Sequence, residues 1–279
     1  MEPRYLSLSE EVIKSYKDEL VTIDEIESFL QREFENTEKL AGGIINCVYK
    51  VNSNHQDKVI KFSVGIYRIN ELKREAEALK YLRDKGYEHI TPNASEFIVV
   101  DSFAYLVEDY IEGNTVKENL DINHCLKERL KIWEKVGQVL SEIHMLCKNK
   151  DSKDEWLNCQ LKIARLNMEN NLLDPEEFQE ETPENTLKWL ISNKPKIEQI
   201  NLLHGDFRTK NIIVDKDSNC KVIDWGFVDI GDPYYDLAII DYYFRDNFDR
   251  DNFYRGYKSK KYSKDLIKYY DRLSKFINV

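Results

Sequence analysis

Apolar positions along the chain change their spacing twice, and each change marks a change of structure. In the first 36 or so residues Ile23, Ile26, Phe29 and Leu30 recur at helical intervals behind Thr22, a residue able to cap them, so a leading helical segment is expected. At Ala41-Gly42-Gly43 the texture turns to β-formers. Ile44 to Val51, the polar turn Asn52–Asp57 and Val59-Ile60-Lys61-Phe62 read as a β-hairpin. Next comes a helix over roughly residues 69–85, with Gly86 where a C′ glycine belongs. Phe97–Asp101 and Tyr105–Ile111 then predict two more strands, closing at Gly113.

Beyond Gly113 the pattern is helical. Leu126, Leu130, Trp133, Val136, Leu140 and Ile143 lie three or four apart and predict one long amphipathic helix. Residues 148–200 read as helices joined by acidic, proline-containing loops such as Asp174-Pro175-Glu176-Glu177. Two short β-runs, Ile212–Val214 and Lys221–Ile223, flank the turn-rich Asp215–Asn219, and the remainder of the chain reads as helical and rich in Tyr, Phe and Asp. The expected architecture is α+β and bilobal. A small β-rich N-lobe covers residues 1–112, its leading helical segment about 1–36, and a larger, mainly helical C-lobe covers 113–279.

Composition narrows the function classes. Of the 279 residues 41 are Lys or Arg and 51 are Asp or Glu, a formal net charge of −10, which argues against a nucleic-acid partner. So acidic a chain permits a cationic ligand. The five cysteines, Cys47, Cys125, Cys147, Cys159 and Cys220, form no C-x-x-C pair and are odd in number. That usage fits a reducing compartment better than a disulfide framework or a zinc site. The N-terminal stretch is charged throughout, and no window approaches about 18 uninterrupted apolar residues, so neither a signal peptide nor a membrane span is expected. The expectation is a cytoplasmic protein, monomer or homodimer.

Candidate chemistry concentrates in His204-Gly205-Asp206-Phe207-Arg208-Thr209-Lys210-Asn211, Ile223-Asp224-Trp225-Gly226 and Gly231-Asp232-Pro233. Asn211 opens the first strand of the late hairpin and Asp224 comes just after the second. Antiparallel neighbours lie about 5 Å apart, so these two would sit side by side at the open end. An amide oxygen and a carboxylate at that spacing can share one Mg²⁺, with ligands near ~2.1 Å. Asp206, on the loop entering the hairpin, can reach the same place with a carboxylate free to accept a proton. Taken singly each residue has an ordinary reading as a hairpin end or a cap. All three at this spacing, with apolar strands behind them, favour a site.

These segments resemble the aminoglycoside phosphotransferase family, with its choline-kinase-like relatives, inside the protein-kinase-like superfamily. The matching residues are HGDFRTKN (His204–Asn211), IDWG (Ile223–Gly226) and GDPYYDLA (Gly231–Ala238), and the likeness runs from about Leu40 to Asp241. The resemblance implies transfer of the γ-phosphoryl group of ATP to a hydroxyl of a small molecule. It gives Asp206 the place of the catalytic base, and Asn211 and Asp224 the places of Mg²⁺ ligands. Arg208, two residues after Asp206, is the candidate for stabilising the transferred group. His204 and His144 read as structural.

On the nucleotide side, Gly42 and Gly43 resemble part of the family's nucleotide loop, although the stricter G-x-G-x-x-G is absent. Lys61 resembles the strand lysine that holds the α- and β-phosphates, which requires a carboxylate from the next helix. Glu71, Glu75 and Glu77 are on offer, and at 100° per residue Glu75 falls at the edge of the Leu72, Ala76, Leu79, Leu82 face. It is also the residue that matches the family's pattern. Leu106–Gly113, with Glu108 and Tyr110, resembles the interlobe hinge, whose backbone binds the adenine edge. The side chains do not decide between ATP and GTP.

The short segment 225–231 before Asp232, and the lack of an A-P-E signature, leave no substantial activation segment and favour a small acceptor over a protein. Asp232 and Asp236 are expected to brace the catalytic loop. Acceptor recognition is expected from Asp174, Glu176, Glu177, Glu180, Glu181 and Glu184, and from Asp241, Tyr242, Tyr243, Asp246, Asp249 and Asp251. An acidic lining suits a polycationic aminoglycoside, the best-fitting acceptor. A choline-like amine, a sugar metabolite or another antibiotic are the alternatives. A nucleotide-binding pseudokinase is the reading from a different class, and Lys61, Asp206, Asn211 and Asp224 are all present against it.

Overall fold

Strand pairing organises the first part of the chain and helix packing the second. A computed structural model describes residues 28–277, apart from 32–33, 41–46, 54, 101–102, 123–124, 147–152, 218 and 259. The elements in order are β1 (Glu35–Lys39), β2 (Cys47–Ser53), β3 (Gln56–Val64), α1 (Ile66–Asp84), β4 (Ala94–Val100), β5 (Phe103–Asp109), β6 (Gly113–Thr115), α2 (Val116–Ile122), α3 (Leu126–Met145) and α4 (Lys153–Glu169). Then come α5 (Pro183–Ser192), β7 (Asn201–Leu203), β8 (Ile212–Asp215), β9 (Cys220–Val222), β10 (Asp229–Gly231), α6 (Tyr234–Asp241), α7 (Asn247–Gly256) and α8 (Lys264–Ile277). The chain forms two compact units. One holds the described residues up to Gly113 together with Asp215–Phe227, the other Asn114–Val214 and the residues from Val228 onward. No helix among the described residues is long and apolar enough to cross a membrane.

In the first unit a five-stranded sheet runs in the order β1-β2-β3-β5-β4. Period-two alternation sends Ile60 and Phe62 of β3, and Phe103, Tyr105 and Val107 of β5, to one face, where they bury with Tyr49, Val51 and Leu30. The opposite face carries Lys61, paired in register with Leu106, and Glu108, paired with Val59. Helix α1 lies on this second face, and its end is set by local chemistry. Gly86 sits at φ 81°, a left-handed conformation suited to glycine. Its N–H donates to Arg83 O (2.9 Å) and that of Tyr87 to Leu82 O (2.9 Å), which together close a Schellman motif.

The second unit is built from α2–α8 and the two-stranded β7–β10 ladder, in which Asp229 faces Leu203 and Gly231 faces Asn201. Helix α8 turns Ile267, Tyr270, Leu273 and Phe276 inward. Helices α3 and α7 approach so closely that only glycine fits at two places: a Cβ on Gly137 would collide with Phe253 O, and one on Gly256 with Glu134 O.

Three features depart from the expected layout. Residues 35 and 36, expected at the end of the helical segment, begin strand β1, whose polar sequence ENTEK forms an edge by pairing with β2. Strands β7 and β10 are three residues each, too short for a periodicity signal. Residues 215–227 join the first unit: Lys221 Nζ donates to Glu88 O (2.8 Å) and Thr91 O (3.3 Å), and the Val222 N–H donates to Ile90 O (2.7 Å). Residues 1–27 of the leading segment lie outside the described residues.

The α3–α7 crossing is testable. Gly137→Ala is expected to lower the free energy of unfolding by about 1–3 kcal/mol, as overpacking does, in a denaturant melt. An unchanged midpoint would show that the two helices can separate at no cost.

Candidate active site

The candidate residues divide between the two units, and each half has its own buried anion as organiser. In the first unit β3 presents Lys61 on the face opposite the apolar cluster, where α1 offers a carboxylate. Lys61 Nζ lies 2.5 Å from Glu75 Oε1, with both side chains buried. Glu71 pairs instead with Arg68 (2.9 Å), and Glu77 is exposed. Helical periodicity therefore singles out the glutamate that pairs with Lys61. The same Glu75 Oε1 accepts the backbone N–H of Trp225 at 3.0 Å. One oxygen thus ties β3, α1 and the residue after Asp224.

Asp224 is left-handed, with φ 69°. Outside glycine, Asp and Asn tolerate that region best, at a cost of about 1–3 kcal/mol that the surroundings must hold. Its half-buried carboxylate makes no hydrogen bond to another described residue. Its charge is nevertheless felt by Lys61 and Glu108.

In the hinge-like segment the Tyr110 N–H donates to Asp57 O (3.2 Å), and the Tyr110 ring carries the Lys50 ammonium 4.1 Å from its centroid. Glu108 contributes a side chain. It is 2% exposed, and its Oε1 lies 3.4 Å from Lys61 Nζ. Burial pushes its carboxyl up to about 8; Lys61 opposes this, while Glu75 and Asp224 add to it. For Lys61 burial works against the charge, but Glu108, Glu75 and Asp224 outweigh it and hold the ammonium above its ordinary range. A carboxylate facing inward from a strand leaves no pattern in the sequence except its place in the period-two alternation. Gly42 and Gly43 lie outside the described residues.

In the second unit β7 leads into the loop that carries Asp206. The loop is pinned by Asp236 of α6, which is fully buried: Oδ2 accepts the His204 N–H (2.8 Å) and Oδ1 the Gly205 N–H (2.8 Å). Gly205 sits at φ 84°, so the loop turns where a side chain would be strained. His144 Nε2 also meets Asp236 Oδ2 (3.1 Å), and its Nδ1 meets Tyr257 OH (2.7 Å). With the imidazole proton on Nε2, Tyr257 donates to His144 and His144 to Asp236. The Asp206 N–H donates to His204 Nδ1 (3.2 Å), and Phe207 is fully buried. Both histidines are therefore structural members of the loop's support. Asp232 braces elsewhere, accepting the Tyr234 N–H (2.9 Å) and the Tyr270 hydroxyl (2.9 Å).

Asp206, 7% exposed, is held on both oxygens. Oδ2 accepts Asn211 Nδ2 at 2.9 Å, and Oδ1 forms an ion pair with Arg208 Nε. Asn211 Nδ2 also donates to Asp206 O (3.0 Å), so both of its bonds use the amide nitrogen and its Oδ1 is directed away. That oxygen and the unbonded Asp224 carboxylate are hard donors, and no cluster of three or more His, Cys, Asp or Glu able to hold a metal occurs among the described residues. Each is an oxygen of the kind that Mg²⁺ takes, together with phosphates and water.

The acidic candidates sort by their partners. Asp246 and Asp249 pair with Arg129 (2.6 and 2.9 Å), Asp241 with Arg250 (3.0 Å) and Glu181 with Arg272 (3.2 Å), while Asp174 caps a 3₁₀ turn. Glu177 keeps its carboxylate out of any ion pair among the described residues, and only its carbonyl accepts from Lys275 (3.1 Å). Asp271, which sequence reasoning missed, is raised by burial, with Lys275 opposing and Glu177 and Asp241 adding to the rise. Tyr243 is half-buried; its phenol is raised by burial and senses Arg208, Asp206 and Glu177. Glu177, Tyr243 and Asp206 therefore share one electrostatic neighbourhood.

Comparison with known proteins gives a consistent picture. Residues 36–272 match the model of the phosphotransferase enzyme family. An aminoglycoside 3'-phosphotransferase from Niallia circulans is 25% identical over 217 residues, covering 74% of this chain and 78% of its own. Among solved structures, an aminoglycoside-3'-phosphotransferase of type VIII superposes with a TM-score of 0.75 at 19% identity, covering 91% of this chain and 98% of its own. A spectinomycin phosphotransferase, solved with ADP and spectinomycin, superposes at 0.59 and 16% identity, over 91% and 85% of the two chains.

Removing the Glu75 carboxylate should be felt twice. Glu75→Ala is expected to cost about 3–5 kcal/mol of stability, because Lys61 loses its buried partner, and to raise the KM for nucleotide at temperatures where the variant remains folded. Wild-type stability with KM and kcat both unaltered would overturn the pairing.

Proposed function

The chain belongs to the phosphotransferase enzyme family and is a small-molecule phosphotransferase, and we propose that it moves the γ-phosphoryl group of ATP to a hydroxyl of an aminoglycoside. In this reading Asp206 is the base, Lys61 meets the nucleotide phosphates, Arg208 stabilises the transferred group, and Asn211 and Asp224 hold Mg²⁺. The observation that carries it is the state of Asp206, a buried carboxylate fixed by Asn211 and Arg208 on a loop whose backbone Asp236 clamps. A carboxylate so fixed acts by its position. Accepting the acceptor O–H aligns the oxygen for attack and takes its proton as the new P–O bond forms and the bond to the β-phosphate oxygen breaks.

Mg²⁺, when bound, neutralises charge on the phosphate oxygens. The protein's own part is positional. Asn211 offers Oδ1 because Asp206 engages its nitrogen, and Asp224 offers a carboxylate with no hydrogen-bonding partner among the described residues. Arg208 rests on Asp206 in this structure, so an arriving acceptor hydroxyl exchanges with it and frees the guanidinium for the phosphoryl oxygens.

The aminoglycoside assignment is supported by the names of the relatives and by the acids of the second unit. Asp271 is part-buried and feels Glu177 and Asp241 as like charges, with Lys275 and Arg272 opposing them, and an acidic surrounding of this kind suits a polycation. A choline-like amine is the second reading, favoured by Tyr242, which is 79% exposed with its ring 5.3 Å from that of Tyr243.

A panel of acceptors tests the assignment: gentamicin, spectinomycin and hygromycin B against choline, ethanolamine, pentoses and macrolides, with ATP consumption as the readout. Turnover with an aminoglycoside is expected, and Asp206→Asn should lower its kcat by about 10²–10⁴-fold. Flat responses to every aminoglycoside, with turnover on another acceptor, would discard the substrate and leave the phosphotransferase.

A further inference from the structure

Lys61 has a second buried counter-ion that the phosphotransfer chemistry leaves unused. Its ammonium lies 2.5 Å from Glu75 and 3.4 Å from Glu108, and Asp224 adds a third negative charge felt by both Lys61 and Glu108. The two partners are held very differently. Glu75 Oε1 also takes the Trp225 N–H, so that ion pair is locked on two sides. Glu108 Oε1 is buried, without a hydrogen bond in good geometry, and its contact with Lys61 is nearly 1 Å longer than that of Glu75. Of the two, the Glu108 contact is the one that opens at less cost.

We propose that Glu108 is a positioning residue that holds Lys61 in the free protein and must yield it to the phosphates of the donor nucleotide, so that its carboxylate sets nucleotide affinity by competition. The inference rests on the reading that Lys61 meets those phosphates. A di- or triphosphate brings several negative charges beside Lys61, where Glu75, Glu108 and Asp224 already stand. Lys61 keeps Glu75 and exchanges Glu108 for a phosphate oxygen. The carboxylate left behind stays dry, beside like charge and without its cation, and this opposes binding. Glu108 thus discriminates by phosphate charge: it penalises ADP and ATP, and leaves a nucleoside without phosphate untouched.

The test measures binding of ADP with Mg²⁺, and of adenosine, to the wild type and to Glu108→Gln and Glu108→Met, two neutral residues of similar length. At about pH 9, where the wild-type carboxyl is ionised, both variants are expected to bind ADP about threefold or more tighter than the wild type. Adenosine affinity should be unchanged, while KM for ATP falls. A purely structural role would weaken ADP and adenosine alike, or leave both unmoved, and either result overturns the proposal. Having two variants guards against one that folds poorly. Lys61→Ala separates the underlying reading: if it leaves ADP affinity unchanged, Lys61 does not meet the phosphates and both ideas fall. If it weakens ADP while the Glu108 variants fail to tighten it, only the competition by Glu108 is lost.

Discussion

A single carboxylate oxygen, Glu75 Oε1, receives the Lys61 ammonium and the Trp225 N–H, and the first unit's chemistry depends on that junction. A charge-assisted bond in a dry environment is strong when complete and costly when broken, so the three segments that meet there are not free to drift. Lys61 is fixed relative to α1, and the backbone immediately after Asp224 is fixed relative to both. The left-handed Asp224 persists because its neighbour is held in this way. Position, more than any unusual acidity, is what this arrangement supplies, as phosphoryl transfer demands.

The second unit repeats the device with a different carboxylate. Asp236 takes two consecutive backbone N–H groups and the His144 imidazole, all out of water. Tyr257 completes the chain through His144, so α3, α6 and the residue after α7 share one polar core. The loop bearing Asp206 is therefore shaped from behind. The Asp206 carboxylate, among the described residues, meets Arg208 and Asn211, contacts that a reaction can exchange.

The excess of acids has two uses that composition alone does not separate. Asp246, Asp249, Asp241 and Glu181 spend their charge on Arg129, Arg250 and Arg272, in ion pairs that brace the helices. Glu177 carries no ion pair among the described residues; it is felt by Tyr243 together with Asp206, and by Asp271 together with Asp241, where Lys275 and Arg272 offset it. What distinguishes the groups is which arginine the fold brings within reach, and arginines far apart in the chain decide it.

Much of this was readable from the chain. The strands at Val59–Phe62 and from Tyr105 onward, the Gly86 terminus of α1, the choice of Glu75 over its neighbours, and the loop that brings Asn211 back to Asp206 all come from residue type and spacing within short windows. The polar edge strand β1, the three-residue strands β7 and β10, and the return of residues 215–227 to the first unit did not. Nor did the inward Glu108 beside Lys61, or the Asp57 carbonyl that occupies the Tyr110 N–H. Periodicity and capping are properties of neighbouring residues, so the order of residues was enough for most element types and for the chemical cast. Which carboxylate ends up dry, and which cation it faces there, was left to the tertiary structure, because desolvation and pairing arise only where distant segments meet.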